Sequence, residues 1–129
     1  NNSGLAVQLL TTYYKLLTTD LWVVHDDVDL PLGAMKIRFG GASAGHRGME
    51  SIMRVLATDK FWRFRLGIGH PKQGHYQLKS MKGVDDYVLG LFSPAERGKV
   101  RELIHRGAKA LALALEEGLE AAQNRFNTH

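Results

Sequence analysis

The sequence contains no cysteine, which removes disulfides and thiolate-held metals and fits a reducing compartment. It has no apolar run near the roughly 20 residues needed to span a bilayer. It shows no signal-peptide pattern, no internal repeat and no low-complexity linker. Acidic residues fall short of basic ones, 13 against 17, giving a net charge of +4 and a pI near 9.5. That modest excess permits a polyanionic partner without requiring one. What remains is 129 residues, 44% hydrophobic and 23% charged, the composition of one globular domain. The first residue is Asn1 rather than Met, so the chain is expected to be a piece of a longer protein.

The organising stretch is VVHDDVDLPLGAMKIRFGGASAGHRG, residues 23–48. A short apolar run, Leu21 to Val24, ends in His25, Asp26 and Asp27, and reads as a buried strand. After a turn at Leu30 to Gly33, residues 34–39 alternate. Met35, Ile37 and Phe39 take one side and Lys36 and Arg38 the other, as a half-buried strand does. Small residues 40–45 then lead into a helix over 46–56, with Met49, Ile52, Met53 and Leu56 on one face. In open α/β sheets ligands sit beyond the carboxyl ends of strands. Two strand ends are therefore expected to bring acidic groups, His46 and loose backbone to one place.

Elsewhere, residues 3–17 read as a helix with a stripe through Leu5, Leu9, Tyr13 and Leu16. Residues 61–68 alternate as a strand, with Phe61, Arg63, Arg65 and Gly67 against Trp62, Phe64, Leu66 and Ile68. Residues 72–83 read as a mobile loop and 84–89 as a short element, one helical turn or more. Ser93-Pro94-Ala95-Glu96 opens a helix that runs to about Glu117, with Ser as N-cap, Pro at N1 and Glu at N3. Val100, Leu103, Ile104, Leu111 and Leu115 are expected to form its core stripe, and Gly118 separates it from a second helix over 119–126. The order of elements predicts an α/β domain with a mixed sheet. Three strands make a thin sheet, so further strands are expected ahead of Asn1.

Read by chemistry alone, several residues carry two meanings. Asp26 is either a turn-capping carboxylate or one that orients an imidazole. The stretch 40–48 is either a strand-to-helix turn using Gly for its dihedrals or a set of backbone N–H groups aimed at an anion. Arg38 and Arg65, with Lys36 and Arg63, are either solvated cations or phosphate ligands. His25 and Asp26 resemble a metal-ligand pair, but neighbours on a strand point to opposite faces, which argues against one.

Six segments in order, NNSG (1–4), HDDVDLPLG (25–33), KIRFGGASAGHRG (36–48), FWRFRLGIGHP (61–71), DDYVLGLFSP (85–94) and EEGLEAAQNRFN (116–127), resemble the bacterial-type peptidyl-tRNA hydrolase family. The resemblance implies a mixed twisted sheet flanked by helices in three layers, truncated here at the N-terminus. It implies hydrolysis of the ester joining a peptide to the 3′-terminal ribose of tRNA, without metal or organic cofactor. It further implies a monomer in the cytoplasm, with the tRNA acceptor end as partner and no membrane. The family's catalytic His lies ahead of the NNSG segment, so the chain as given is expected to be inactive.

By the same resemblance, Asp26 matches the acidic partner of that His, and Asn1 an Asn that hydrogen-bonds substrate or water. His46 and Gly45 match the substrate loop, and Arg38 and Arg65, joined by Lys36, the clamp on the tRNA 5′-phosphate. Arg47 stands where most relatives have Asn; it adds a cation and cannot accept a hydrogen bond. Lys72, His75, Lys79 and Lys82 match a lid over the acceptor stem. Two other readings stay open: a non-catalytic RNA-binding relative of the same fold, and a metal-dependent phosphoesterase using His25 and Asp26.

Overall fold

The computed structural model describes residues 2–43, 45–69 and 92–127. Asn1, the loop and short element expected over 72–89, and the lid residues Lys72, His75, Lys79 and Lys82 lie outside the described residues.

Helix α1 is Ser3–Tyr13, followed by a 3-10 turn at Thr18–Asp20. Strand β1 is Trp22–Asp27 and β2 Met35–Phe39. Helix α2 is Arg47–Leu56, β3 is Trp62–Gly67, α3 is Pro94–Glu117 and α4 is Leu119–Phe126. The strands form one mixed sheet in the order β1-β3-β2, with β1 parallel to β3 and β2 antiparallel to it. Helices α3 and α4 lie against the face carrying Met35, Ile37 and Phe64, all fully buried. Helix α2 lies against the other face through Met49, Ile52 and Phe61, with Val23 beside them.

The register puts Arg63 opposite both Val23 and Arg38, and Arg65 opposite both His25 and Lys36. Directly opposed residues share a face, so the basic residues of β2 and β3 stand on the α2 side. The expected division of Lys36 and Arg38 from Met35 and Ile37 holds. The outer edge of β2 is covered by two amides. The Ile37 N–H donates to Asn127 Oδ1 at 2.6 Å, and Gln123 Nε2 and Asn127 Nδ2 donate to its carbonyl at 3.0 and 3.1 Å. This satisfies an edge that would otherwise offer free ladder groups.

Helix α3 starts where expected: Ser93 Oγ accepts from the Glu96 N–H and Glu96 Oε1 accepts from the Ser93 N–H. Its buried stripe differs from the expected one. Val100, Leu103, Gly107, Ala110 and Ala114 face inward, whereas Ile104 and Leu115 are 58% and 76% exposed. Small residues hold most of these positions, with Gly107 facing the Leu66 side chain.

Helix α1 shows the same preference. It is buried through Gly4 and Thr11, while Leu5, Leu9 and Tyr13 are exposed. Gly4 sits against α2, where its N–H donates to Ser51 Oγ at 2.9 Å. The helix stops at Tyr13, short of the expected 17, because Lys15 turns left-handed at φ 55°. Strand β1, in contrast, runs past Val24 to Asp27, since each residue to Asp27 pairs with β3.

Candidate active site

Strands β1 and β2 run in opposite directions, so their carboxyl ends lie at opposite ends of the sheet. Phe39, at the end of β2, is opposite Trp62, which is opposite Trp22 at the start of β1. The two strand ends therefore do not converge, contrary to the sequence expectation. The loop after β2 brings His46 back instead. Gly40 donates to the Phe61 carbonyl at 3.0 Å, the loop passes over Arg63, and His46 arrives beside Asp26. Gly40, Gly41 and Gly45 have φ of 71°, 112° and 80°, a region that L side chains resist.

His46 Nε2 lies 2.9 Å from Asp26 Oδ1. Its other nitrogen, Nδ1, accepts the Met49 N–H at 3.1 Å and so caps α2. A backbone N–H can only donate, so Nδ1 carries the lone pair and Nε2 the proton, which it donates to Asp26. The Asp26 side chain remains 54% exposed. It opens on a cavity of about 350 Å³ whose lining also includes Ser43, Gly45, His46, Arg47 and Gly48. Asp26, His46, Gly45 and Arg47 are thus brought together.

His25 and Asp26 do not present a metal-ligand pair to this cavity. His25 Nδ1 lies 2.8 Å from the Asp26 carbonyl and donates to it, while Nε2 is buried with no hydrogen-bond partner among the described residues. The His25 ring stands edge-on to His46, centroids 5.0 Å apart. Burial holds the His25 pKa below its ordinary value; the Asp26 carbonyl works against that, and His46 adds to it.

A second cavity, of about 420 Å³, is lined by Arg38, Gly40, Gly41, Arg63 and Arg65. Arg38 and Arg65 therefore share one opening. Arg65 Nε donates to Asp27 Oδ2 at 2.7 Å, and Asp27 Oδ1 accepts the Asp29 N–H at 2.8 Å. Burial pushes the Asp27 carboxyl up, but the Arg65 and Asp29 hydrogen bonds and the charge of Arg65 outweigh it and hold it below the usual value. Asp27 also lines the Asp26 cavity, so through its bond to Arg65 it links the two openings.

Lys36 stands apart, lining an opening with Asp29, Leu30 and Gly33. Arg63 differs most from expectation. It is 2% exposed, and its guanidinium donates to the Ala42 carbonyl at 2.7 Å and to the Gly41 carbonyl. An alternating strand marks its face, but no local pattern marks a cation lying beneath a loop that returns from 20 residues away.

A family model described as "Peptidyl-tRNA hydrolase" matches residues 1–129. The chain is 42% identical over 127 residues to a peptidyl-tRNA hydrolase of Aquifex aeolicus, covering 98% of this chain and 62% of that protein. It is 39% identical to one of Synechococcus sp., again over 98% of this chain but 53% of the relative. The chain thus spans between half and two thirds of these relatives' length. A crystal structure of peptidyl-tRNA hydrolase from Acinetobacter baumannii superposes with a TM-score of 0.77 at 25% identity, covering 99% of this chain and 61% of that one.

Proposed function

Since this chain belongs to the peptidyl-tRNA hydrolase family, we propose that its residues build the substrate cleft of an enzyme that hydrolyses the ester of peptidyl-tRNA. The observation that carries this reading is the Asp26 carboxylate, tied by one oxygen to His46 Nε2 and half open at the mouth of a cavity.

The chemistry requires a base for water, a group to orient that base and donors for the developing oxyanion. Asp26 serves as the orienting group. His46 secures Oδ1, which leaves Oδ2 to accept the N–H of a water-activating imidazole and to stabilise the imidazolium. Neither ring already in place supplies that base. His46 spends its lone pair on capping α2, and the free lone pair of His25 is buried. The base therefore comes from a group other than these two, as the family resemblance implies. Backbone at Gly45 to Gly48 and the Arg47 side chain border the same cavity, where they meet the ester or the terminal ribose. Arg38 and Arg65 in the neighbouring opening suit bidentate contact with a phosphate of the tRNA end. The partner is tRNA, and the enzyme works in the cytoplasm as a monomer without metal or organic cofactor.

Where turnover of the full-length protein is measured on an N-acylated aminoacyl-tRNA, Asp26→Asn is expected to lower kcat by roughly a hundredfold or more with tRNA affinity kept. Unchanged kcat would overturn the assignment. The engagement of both His46 nitrogens and the burial of His25 Nε2 also favour a second reading, a relative that binds RNA without cutting it. Salt-dependent tRNA binding with no turnover in the full-length protein would support that one instead.

A further inference from the structure

Arg63 is a buried charge that neither the ester chemistry nor the phosphate contacts employ. At 2% exposure it has no carboxylate within ion-pair distance among the described residues. Its two terminal nitrogens are satisfied by backbone instead, while Nε is buried with no hydrogen-bond partner among the described residues. Nη1 donates to the Ala42 carbonyl at 2.7 Å, and Nη2 reaches the Gly41 carbonyl and, at 3.4 Å, that of Asp59. The guanidinium also rests on the Phe61 ring, 5.1 Å from its centroid, and 3.9 Å from Met53 Sδ. A buried cation is costly unless such bonds compensate it.

The place where these bonds fall matters. The chain leaves β2 at the Trp62 level of the sheet and must deliver His46 to Asp26 at the Leu66 level. Between them lie small residues, and glycines at positive φ. Gly41 and Ala42 lie in the first half of this crossing, and Arg63 grips both carbonyls from below. Two further bonds, Gly40 N–H to the Phe61 carbonyl and Gly41 N–H to Asp59 Oδ2 at 3.2 Å, fix the start of the crossing, and the Ser43 hydroxyl, donating to Glu50 Oε1 at 3.4 Å, ties its far side to α2.

We propose that Arg63 is a positioning residue for the cleft: by holding the Gly41 and Ala42 carbonyls it sets where His46 stands, and through His46 the pose of the Asp26 carboxylate. The functional weight of that pose rests on the reading above; the mechanical role does not. A lysine cannot reproduce it, because one ammonium does not span two carbonyls as a planar fork does.

The test uses the 129-residue chain, with Arg63→Lys and Arg63→Gln. Imidazole nitrogen shifts report the His46 tautomer, and amide exchange reports the His46 and Met49 N–H groups, which donate to the Ser43 carbonyl and to His46 Nδ1. Both variants are expected to average the His46 tautomer signal and to speed exchange at His46 and Met49 by about tenfold or more. Exchange in α3 is expected to stay within about twofold of the parent. Arg63→Gln carries no buried charge, so it keeps the test open where Arg63→Lys folds poorly. A parent-like tautomer signal and parent-like exchange would overturn the proposal, as would loosening spread evenly through α3 and the sheet. None of these readouts involves tRNA, so a failure of tRNA binding bears on the function alone.

Discussion

Asp27 and Arg65 join the two cavities of the site: Asp27 Oδ2 accepts from Arg65 Nε at 2.7 Å, and the carboxylate is 6% exposed. Asp27→Asn keeps the shape but removes the charge that orients Arg65. It is expected to weaken tRNA binding and to lower stability at neutral pH by about 1–3 kcal/mol, the usual worth of a charged hydrogen bond. The folded-state pKa of Asp27 lies below its ordinary value. Its contribution to stability is therefore present above the unfolded carboxylate's pKa, about 3.9, and is lost as pH falls through the folded value. Denaturant melts down an acid series should show the parent losing more stability below about pH 4 than Asp27→Asn does.

The 129-residue chain alone should bind tRNA yet not hydrolyse it. Both nitrogens of His46 are engaged and the open one of His25 is buried, so neither can take water's proton. Single-turnover assays on an N-acetyl-aminoacyl-tRNA would check this. Turnover that vanishes with Asp26→Asn would instead make Asp26 itself the base.

Arg38→Ala and Arg65→Ala should each weaken tRNA binding most at low salt. Each lost phosphate contact makes the log affinity against log salt line shallower by roughly 0.7–0.9. Lys36→Ala, which lines a different opening, should change the slope less. Equal slopes for all three would remove the basic cavity from the tRNA contact.

Two small substitutions should move stability in opposite directions. A Cβ on Gly4 would lie 2.1 Å from the Ser51 carbonyl oxygen, so Gly4→Ala must push α1 off α2, at about 1–3 kcal/mol or more. Ala57 ends α2 in the left-handed region, φ 55° and ψ 32°. Ala57→Gly should relieve that strain and raise stability by about 0.5–1 kcal/mol. Chemical denaturation of both variants decides the signs.

What local chemistry dictates was legible. The Ser93–Glu96 capping box and the alternation of β2 and β3 followed from residue type and spacing, whereas residue type left Asp26 open between a turn cap and an orienting carboxylate. What depends on distance between backbones was not. Ile104 and Leu115 looked like core because they are large, but the inner face of α3 runs through Val100, Leu103, Gly107, Ala110 and Ala114. Likewise Leu5 and Leu9 gave way to Gly4. Arg63 was legible as a cation on a strand, but its burial depends on a loop whose path is set by the antiparallel sense of β2. The pairing of His46 with Asp26 hangs on the same topology.

That sense of β2 bears on what kinds of change the segment from Gly40 to Gly45 will accept. With both ends moored, at the Phe61 carbonyl and at Asp26, its length is closer to a fixed dimension than its composition is. Deleting or inserting one residue displaces the imidazole by about a backbone step of 3.3 Å, more than a hydrogen bond can stretch. Swaps among small residues such as Ala42 and Ser43 should pass, while single-residue indels should break the link between loop and carboxylate even where the fold survives.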